Sequence, residues 1–566
     1  MKKISRRDFL KATAIAGGAA MLTACGGGSD STAASSTAGN EGPKKVSYWM
    51  DLQQGGCDRV QNFNEMYCWQ EVTKNTGIEI EWNHPASGQA GEQFNLITSG
   101  KTLPDLMYHN WATAYPGGAE AAILDNKIIP LNDYMDKLPN FSRYMEMHPE
   151  MLIDVTTDAG NIYGFPAAYT HTSSDSDVWQ NCFDREPFDE SFIGLVIRTD
   201  LLEKVNMPIP VTHDDWYNVL KAFKDQLGIE YPLCIMSMFE GIAQVFNAGF
   251  DAPMPTPGYT PATAWGIDKD GKVEYGPVKD GFREYVTFMH KLYSEKLLDN
   301  DYMVIDRTTQ QSKVINGQVG AWVDMMPSGL GGVRTQNRLL DPNSTFEACG
   351  VHSPVRTPGV ENWYHSGNRA FTGSATCITT SCKDIDAALA LSDYIWGEEG
   401  NTIINRGIEG ISYEMKDGWP AIPQAMIDEA LAANTNPADL QEMYRQLNGA
   451  YQQDHWQRLV SKIDYTLPEG TVDQNIEALN TWSYGNGTQL VGLPATDLLE
   501  EEQSKYANTF NEIATYVGQC MSQFITGAMD LAKWDEYVDT VWKMGLQDCI
   551  DIQQAALARY YARGQA

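Results

Sequence analysis

The chain of 566 residues carries 41 Lys and Arg against 74 Asp and Glu, a formal net charge of −33 at pH 7. This acidic balance argues against nucleic acid and anionic lipid surfaces as partners. The length allows two or three domains with sizeable cores, and beyond the first 25 residues no stretch approaches the roughly 18 to 20 apolar residues of a membrane-spanning helix.

The first 25 residues predict an export signal. A basic start containing Arg6 and Arg7 is followed by a short, weakly apolar stretch and by the small residues of Leu-Thr-Ala-Cys at 22–25. An apolar stretch too short for a bilayer, between a basic region and small residues, is typical of a cleaved secretory signal. The Arg6-Arg7 pair resembles the twin-arginine translocation motif.

The end of this signal also predicts a lipid anchor. Residues 22–25 resemble a bacterial lipobox, so we expect residues 1–24 to be a removed signal and Cys25 to become the lipidated first residue. Residues 25–44 are rich in Gly, Ser, Thr and Ala, which predicts a flexible tether. We expect the protein outside the cytoplasm, anchored to the outer face of the cytoplasmic membrane.

The other nine cysteines show no repeated spacing and no zinc pattern. We therefore expect mostly buried, reduced thiols and no resident cofactor. These cysteines are Cys57, Cys68, Cys182, Cys234, Cys349, Cys377, Cys382, Cys520 and Cys549.

The body of the chain begins with a βαβ pattern. Apolar residues alternate over 46–50, follow one helical face over 62–75, and alternate again over 78–82. A helix over 92–98 and a strand over 103–108 follow. A strand, a helix and a strand in this order predict a mainly parallel sheet covered by helices.

Residues 99–106, with the sequence SGKTLPDL, resemble a stretch of the extracellular family 1 solute-binding proteins, the lipoprotein receptors of ABC importers for sugars. The motif RGIEGISYE at 406–414 is similar to one in the long oligosaccharide-binding members, such as those that bind alginate oligosaccharides. Other segments agree in the same order: 161–166, 195–202, 211–216, 317–322, 349–355 and 524–527. The resemblance runs from about residue 46 to about residue 561.

This resemblance implies an α/β, two-lobed fold of the periplasmic-binding-protein type, class II, with the ligand between the lobes. Lobe 1 is expected over 45–165 and 350–395. Lobe 2, with the C-terminal helices, is expected over 190–349 and 400–566. The crossings between lobes are expected near 165–197, 348–354 and 382–405.

A sugar site needs flat aromatic faces for stacking and polar side chains for the hydroxyl groups. Of the 15 Trp residues, those at helical apolar spacing are interpreted as core: Trp216, Trp396, Trp534 and Trp542. The ligand-binding candidates at strand ends or in loops are Trp49, Asp51, Trp111, Trp179, Trp322, Asp324, Arg369 and Glu409. Trp363 and Trp482 fall in the same kind of position. Glu409 lies between Gly407 and Gly410, a pattern that favours a tight turn.

Calcium is an alternative that the resemblance raises, because some alginate-binding relatives carry a calcium loop. Asn181, Asp189 and Glu190 offer oxygen atoms, as does the Asp268 and Asp270 turn. A hard cation needs about six oxygens, and the sequence supplies fewer in either place. We therefore expect no metal site and interpret residues 268–273 as a hairpin turn.

The sequence lacks the motifs of a serine hydrolase elbow, a zinc protease, a P-loop or a dinucleotide-binding loop. We therefore expect a monomeric binding protein, not an enzyme, that delivers an oligosaccharide to the membrane subunits of an ABC permease. A neutral sugar is favoured over a uronate, because no Lys and Arg cluster occurs among the candidates. A secreted glycan hydrolase stays open, since two carboxylates suffice for one, and peptide binding is a lesser alternative.

Overall fold

A computed structural model describes most of the chain after residue 43. It covers residues 44–52, 60–86, 88–170, 193–236, 246, 250, 264–268, 270–358, 371–416, 419–433, 435, 437–446, 449–454, 474–483, 491–494 and 496–563. These residues belong to one unit, Pro43–Ala566. Among them, no helix is both long and apolar enough to cross a membrane.

The strands are β1 Lys44–Trp49, β2 Ile78–Asn83, β3 Leu106–His109, β4 Phe165–Thr170, β5 Ile193–Arg198, β6 Tyr231–Cys234, β7 Trp265–Ile267, β8 Val273–Tyr275, β9 Val319–Met325, β10 Ala348–Val351, β11 Phe371–Ile378, β12 Glu414–Lys416, β13 Trp419–Ala421, β14 Gln452–Asp454 and β15 Val491–Gly492.

The α-helices are α1 Tyr67–Thr76, α2 Ala90–Ser99, α3 Trp111–Ala114, α4 Gly118–Leu124, α5 Pro139–Met147, α6 Pro149–Asp154, α7 Thr199–Val205, α8 His213–Leu227, α9 Asp280–Ser294, α10 Arg307–Ile315, α11 Val333–Leu340, α12 Ile385–Trp396, α13 Glu398–Arg406, α14 Gln424–Ala432, α15 Pro437–Gln441, α16 Gln474–Ser483, α17 Glu500–Thr526, α18 Trp534–Lys543 and α19 Leu546–Arg563. A π-helical segment, Met326–Gly332, follows β9.

Lobe 1 is built on a six-stranded sheet of order β14-β4-β11-β3-β1-β2. Five strands run in one direction, and β11 runs against its neighbours β3 and β4. The predicted βαβ start is present as β1, α1 and β2. Helix α1 packs Trp69 edge-on against Trp82 of β2 and ends at Gly77, which adopts the left-handed conformation.

Lobe 2 has its own four-stranded sheet, of order β10-β5-β9-β6, and a separate hydrophobic core. Three strands share a direction, and β5 runs against its two neighbours. The small sheet β15-β7-β8 and helices α17 to α19 add buried side chains to this core. Two sheets with two cores establish the two-lobed α/β fold.

The local signals that begin and end helices behave as the sequence predicts. The Thr212 side chain accepts a hydrogen bond from the Asp215 N–H at 3.1 Å, and Asp215 accepts one from the Thr212 N–H at 2.9 Å. This capping box begins α8. The long helix α17 ends at Gly527, whose φ of +78° favours glycine.

The lobe boundaries differ from the expected ones in two places. Strand β10 pairs with β5 and so belongs to lobe 2, although lobe 1 was expected to resume at residue 350. Helix α13 and strand β14 belong to lobe 1, although residues 400–566 were expected in lobe 2. Helix α13 buries Ile403 and Ile404 in the lobe 1 core, and β14 pairs with β4. The third crossing therefore lies between β14 and α16, not within 382–405.

Seven cysteines lie in the described part of the chain, and all are free thiols. Five are buried: Cys68, Cys234, Cys377, Cys520 and Cys549. Burial raises the pKa of the Cys549 thiol to about 11. These groups are therefore uncharged at neutral pH and act as small apolar side chains.

Candidate functional site

All three passages between the lobes leave lobe 1 from the same edge of its sheet. Strands β4 and β14 end there and β11 begins there, and β1, β2 and β3 end at this edge because they run parallel to β4. We call it the lobe 1 crossover edge. Ligands of open α/β sheets bind at the carboxyl ends of parallel strands.

The corresponding edge of lobe 2 is defined in the same way. Strand β5 begins there, and β6, β9 and β10 end there, because each runs opposite to β5. We call it the lobe 2 crossover edge. The segments that join the two edges, 171–192, 359–370 and 455–473, contain residues outside the described part of the chain.

Trp49 and Asp51 lie together at the lobe 1 crossover edge, at the end of β1. Trp49 is buried against Phe94, with ring centroids 6.2 Å apart, and meets His109 edge-on at 5.8 Å. Asp51 is 7% exposed and acts electrostatically on both His84 and His109. The structure thus brings Trp49 and Asp51 together with two histidines. Trp49 is a correction, because it is 2% exposed and offers no open face to a sugar.

His84 and His109 are uncharged hydrogen-bonding groups at this edge. The His84 Nδ1 lies 2.8 Å from the Met50 carbonyl oxygen, and its Nε2 accepts a hydrogen bond from the Phe63 N–H at 3.3 Å. These two partners require the neutral tautomer with a proton on Nδ1. Burial lowers the pKa of both imidazoles. The edge therefore combines one carboxylate with two neutral rings.

Asn110 is a fourth polar residue at this edge, and sequence reasoning missed it. It follows β3 directly, and its side-chain oxygen accepts a hydrogen bond from the Thr113 N–H at 3.2 Å, which begins α3. Gly373 of β11 faces it with φ of +88°, and a Cβ there would lie 2.6 Å from the Asn110 amide nitrogen. Only glycine permits this approach. The signal was available, since Asn is a common helix N-cap.

Trp111 is a correction, because it has no exposed face. Its indole is fully buried, donates from Nε1 to the Met107 carbonyl oxygen at 3.2 Å and packs edge-on against Phe94 at 4.8 Å. As the first residue of α3, it turns into the lobe 1 core. A position just after a strand does not by itself place a side chain at the ligand edge.

Trp322 and Asp324 are corrections of the same kind on lobe 2. Both side chains are fully buried. Asp324 accepts hydrogen bonds from the Met325 N–H at 2.7 Å and from the Gln310 amide at 3.2 Å. Desolvation raises its pKa to about 6. The π-helical segment covers this carboxyl so closely that a Cβ at Gly329 would overlap it.

Trp482 of α16 lies flat on the lobe 2 sheet near its crossover edge. Its Nε1 donates to the Leu195 carbonyl oxygen at 3.1 Å. A Cβ at Gly194 would lie 2.5 Å from its ring atoms, and one at Gly350 would lie 3.0 Å away. Two glycines on adjacent strands thus make room for the indole, which is 8% exposed.

Glu409 is exposed on a tightly held loop of lobe 1, although it was expected in lobe 2. Gly407 and Gly410 have φ of +81° and +78°, as the predicted turn requires. The Ser412 hydroxyl donates to the Arg406 carbonyl oxygen at 2.8 Å, and the Ser412 carbonyl accepts from Gln441 at 2.9 Å. The loop therefore presents Glu409 rigidly to solvent.

Several predicted residues lie outside the described part of the chain: Cys25, Trp179, Arg369 and the calcium candidates Asn181, Asp189 and Glu190. Among the described residues, no group of three or more His, Cys, Asp or Glu is placed to hold a metal ion. The Asp268 carboxylate accepts the N–H groups of Asp270 and Lys272 at 2.8 and 2.9 Å. That turn fits a hairpin and does not fit a calcium loop.

Comparison with known proteins bears on the export signal and on the fold. Residues 3–23 match the twin-arginine translocation pathway signal sequence, which confirms the predicted export signal. The chain is 22% identical over 526 residues to the fructooligosaccharide ABC transporter substrate-binding protein FusA of Streptococcus pneumoniae, covering 89% of this chain and 88% of that protein. It is 23% identical over 362 residues to the lipoprotein LipO of Bacillus subtilis, covering 61% and 64% respectively.

Among solved structures, the chain is similar to the alginate-binding protein AlgQ2 without calcium ion. The TM-score is 0.71 at 20% identity, covering 91% of this chain and 98% of that one. The fold is therefore that of solute-binding proteins. The resemblance drawn from the sequence is confirmed, because one similar protein is an ABC transporter substrate-binding protein for fructooligosaccharides and another binds alginate.

Proposed function

Starting from the fold and length that this chain shares with ABC-transporter substrate-binding proteins, we propose that it captures an oligosaccharide and delivers it to a membrane permease. This proposal rests on one observation: the three chain crossings between the lobes leave from the two crossover edges, one of which holds Asp51, His109 and Asn110. Lobes whose chain crossings all lie along one edge can rotate about these crossings and close over a ligand held there.

The lobe 1 edge supplies the chemistry that sugar hydroxyl groups need. The Asp51 carboxylate accepts hydrogen bonds, whereas the Asn110 amide and the neutral His109 imidazole can donate them. Such partners orient a polar ligand through hydrogen bonds. Trp49, packed beneath this group, sets the position of His109.

A neutral sugar suits this edge better than a uronate does. At the ends of β1, β2 and β3, residues 49–52, 83–84 and 109–111 include one carboxylate and two uncharged imidazoles but no Lys or Arg. A uronate carboxylate needs cationic partners to offset its desolvation. Of the similar proteins, the one named for neutral fructooligosaccharides is therefore the better guide.

Calorimetric titration with neutral oligosaccharides, uronate oligomers and peptides tests the ligand class. We expect binding to a neutral oligosaccharide. Tight binding to uronates alone would overturn the neutral assignment, and binding to peptides alone would overturn the sugar assignment. Mass spectrometry of the same mixture tests the rival hydrolase: progressive cleavage that one carboxylate substitution abolishes would make the protein an enzyme.

We also propose that the exported protein is a monomer held outside the cell by lipid on Cys25. The support is the twin-arginine signal at 3–23, the lipobox that follows it and the similarity to LipO. A single acyl chain binds membranes only reversibly, so a diacylglyceryl modification is expected. Cys25→Ala should release the protein to the medium, and retention in the membrane fraction would contradict the anchor.

A further inference from the structure

The C-terminal helices join the two lobes through charged side chains in addition to the three chain crossings. Helix α19 buries Leu546, Cys549 and Leu557 in the lobe 2 core. Its last turns reach lobe 1, where Asp158 lies in the turn before β4. We call Asp158, Asp497, Glu502, Arg559 and Arg563 the clasp.

Two arginines of α19 hold Asp158 from both sides. Arg563 Nε donates to Asp158 Oδ1 at 2.6 Å, and Arg559 Nε donates to Asp158 Oδ2 at 2.9 Å. Asp497 and Glu502, on the lobe 2 side of the clasp, bind other nitrogen atoms of the same two arginines. Arg563 also pairs with Asp497 at 2.8 Å, and Arg559 pairs with Glu502 at 2.6 Å.

The pairs that cross between the lobes are partly shielded from solvent. The Arg563 side chain is 3% exposed and that of Asp158 is 22% exposed. Ion pairs shielded from solvent are screened less by salt than exposed pairs. Two further contacts follow the same boundary: Tyr560 donates to Asp154 at 2.6 Å, and the Gly117 N–H donates to the Gln503 side chain.

The clasp lies where a closing movement of the two lobes would disturb it. Its lobe 1 side leads directly into β4, and the adjoining helix α6 packs against β11. These strands carry chain crossings, whereas the candidate ligand residue Asp51 follows β1, on the other half of the sheet. A rotation that brings the two crossover edges together over a ligand at that half of the sheet should move Asp158 away from α19. The hydrogen bonds from Arg559 and Arg563 to Asp158 would then break, because a hydrogen bond is lost when its two atoms move apart by more than a few tenths of an ångström.

We propose that the clasp is a brake on lobe closure: it holds the lobes in the arrangement seen here and must open when ligand is bound. This inference rests on the proposed function, because closure around a ligand is what the brake opposes. Ligand affinity is then set partly by residues remote from the ligand. A coupling of this kind changes affinity by about 5-fold to 150-fold.

Asp158→Asn in the full mature chain tests the clasp, because it keeps the side-chain shape and removes the charge that both arginines share. We expect the dissociation constant for the best-binding neutral oligosaccharide to fall at least about fivefold, with a smaller ligand-free radius of gyration. Arg559→Gln should do the same if Asp158→Asn does not fold. The control, Lys221→Gln, breaks an exposed pair with Asp225 inside α8 and should leave both quantities unchanged.

Unchanged or weaker binding by folded Asp158→Asn would overturn the brake. A ligand-free measurement separates this failure from failure of the proposed function. Spin labels at Leu124 and Leu340, exposed residues of different lobes, should show a changed distance distribution in Asp158→Asn and not in the control. A changed distance without sugar binding would refute only the proposed function, and sugar binding with an unchanged distance would refute only the brake.

Discussion

The indole N–H of Trp322 donates a hydrogen bond to the Gly329 carbonyl oxygen, 2.8 Å away in the lobe 2 core. This bond ties the middle of β9 to the π-helical segment that follows the strand. A tryptophan that the sequence offers as a sugar platform is thus a structural link. Its substitution should change stability and leave ligand contacts intact.

We expect Trp322→Ala to lower the free energy of unfolding by about 3 to 5 kcal/mol, the usual cost of truncating a large buried aromatic side chain. Trp542→Ala is the matched control, because Trp542 is 40% exposed, and it should cost at most about 1 kcal/mol. Urea unfolding measures both. A Trp322→Ala protein of normal stability that no longer binds sugar would contradict this prediction and would identify Trp322 as a ligand-binding residue.

Asp324 predicts a pH effect on stability. Its folded-state pKa is raised to about 6, so the folded protein holds this proton more tightly than the unfolded chain, whose Asp titrates near about 3.9. The free energy of unfolding should therefore fall as pH rises between these two values. Above about pH 6, Asp324→Asn should be more stable than the wild type by up to about 3 kcal/mol, at 1.36 kcal/mol per pKa unit.

Urea unfolding of both proteins across this pH range measures the Asp324 effect. The comparison must be between variant and wild type, because the pKa of Asp497 is also raised to about 6. A stability difference that is constant with pH would contradict the assignment of this titration to Asp324.

Asp51 should matter for affinity and little for stability. Asp51→Asn removes a charged acceptor at the lobe 1 crossover edge, and hydrogen bonds to charged groups contribute about 1.5 to 3 kcal/mol. We expect weaker oligosaccharide binding by that amount in calorimetric titration. Asp280→Asn, at an exposed position in the first turn of α9, is the control and should bind normally. Equal affinities for the two variants would remove Asp51 from the site.

Gly194→Ala should displace Trp482, because the added Cβ would lie 2.5 Å from the ring. Overpacking of this kind costs about 1 to 3 kcal/mol. Gly91→Ala is the matched control, since nothing lies within 4 Å of its Cβ position in α2, and it should stabilise that helix by up to about 1 kcal/mol. Thermal unfolding and tryptophan fluorescence compare them. A Gly194→Ala protein as stable as the control would contradict this prediction, because it would show that α16 and Trp482 can move away from β5 without a loss of stability.

Local sequence signals determined the export signal, the βαβ start, the capping box at Thr212 and the glycine end of α17. Each depends on residues that are neighbours in the chain, so its physical cause can be read from spacing alone. The order of family motifs also determined the two-lobed fold. Asp51 was found in the same way, as a polar residue directly after a strand.

Tertiary structure decided which tryptophans face inward and which lobe contains α13 and β14. Helical spacing grouped Trp542 with Trp534, yet only Trp534 is buried, because packing against neighbouring helices selects the covered part of each surface. The pairing of β14 with β4 spans hundreds of residues, and nothing local records it. Asp324 is buried for the same reason: the segment that covers it is positioned by the Trp322 to Gly329 bond, a contact that exists only in the folded chain.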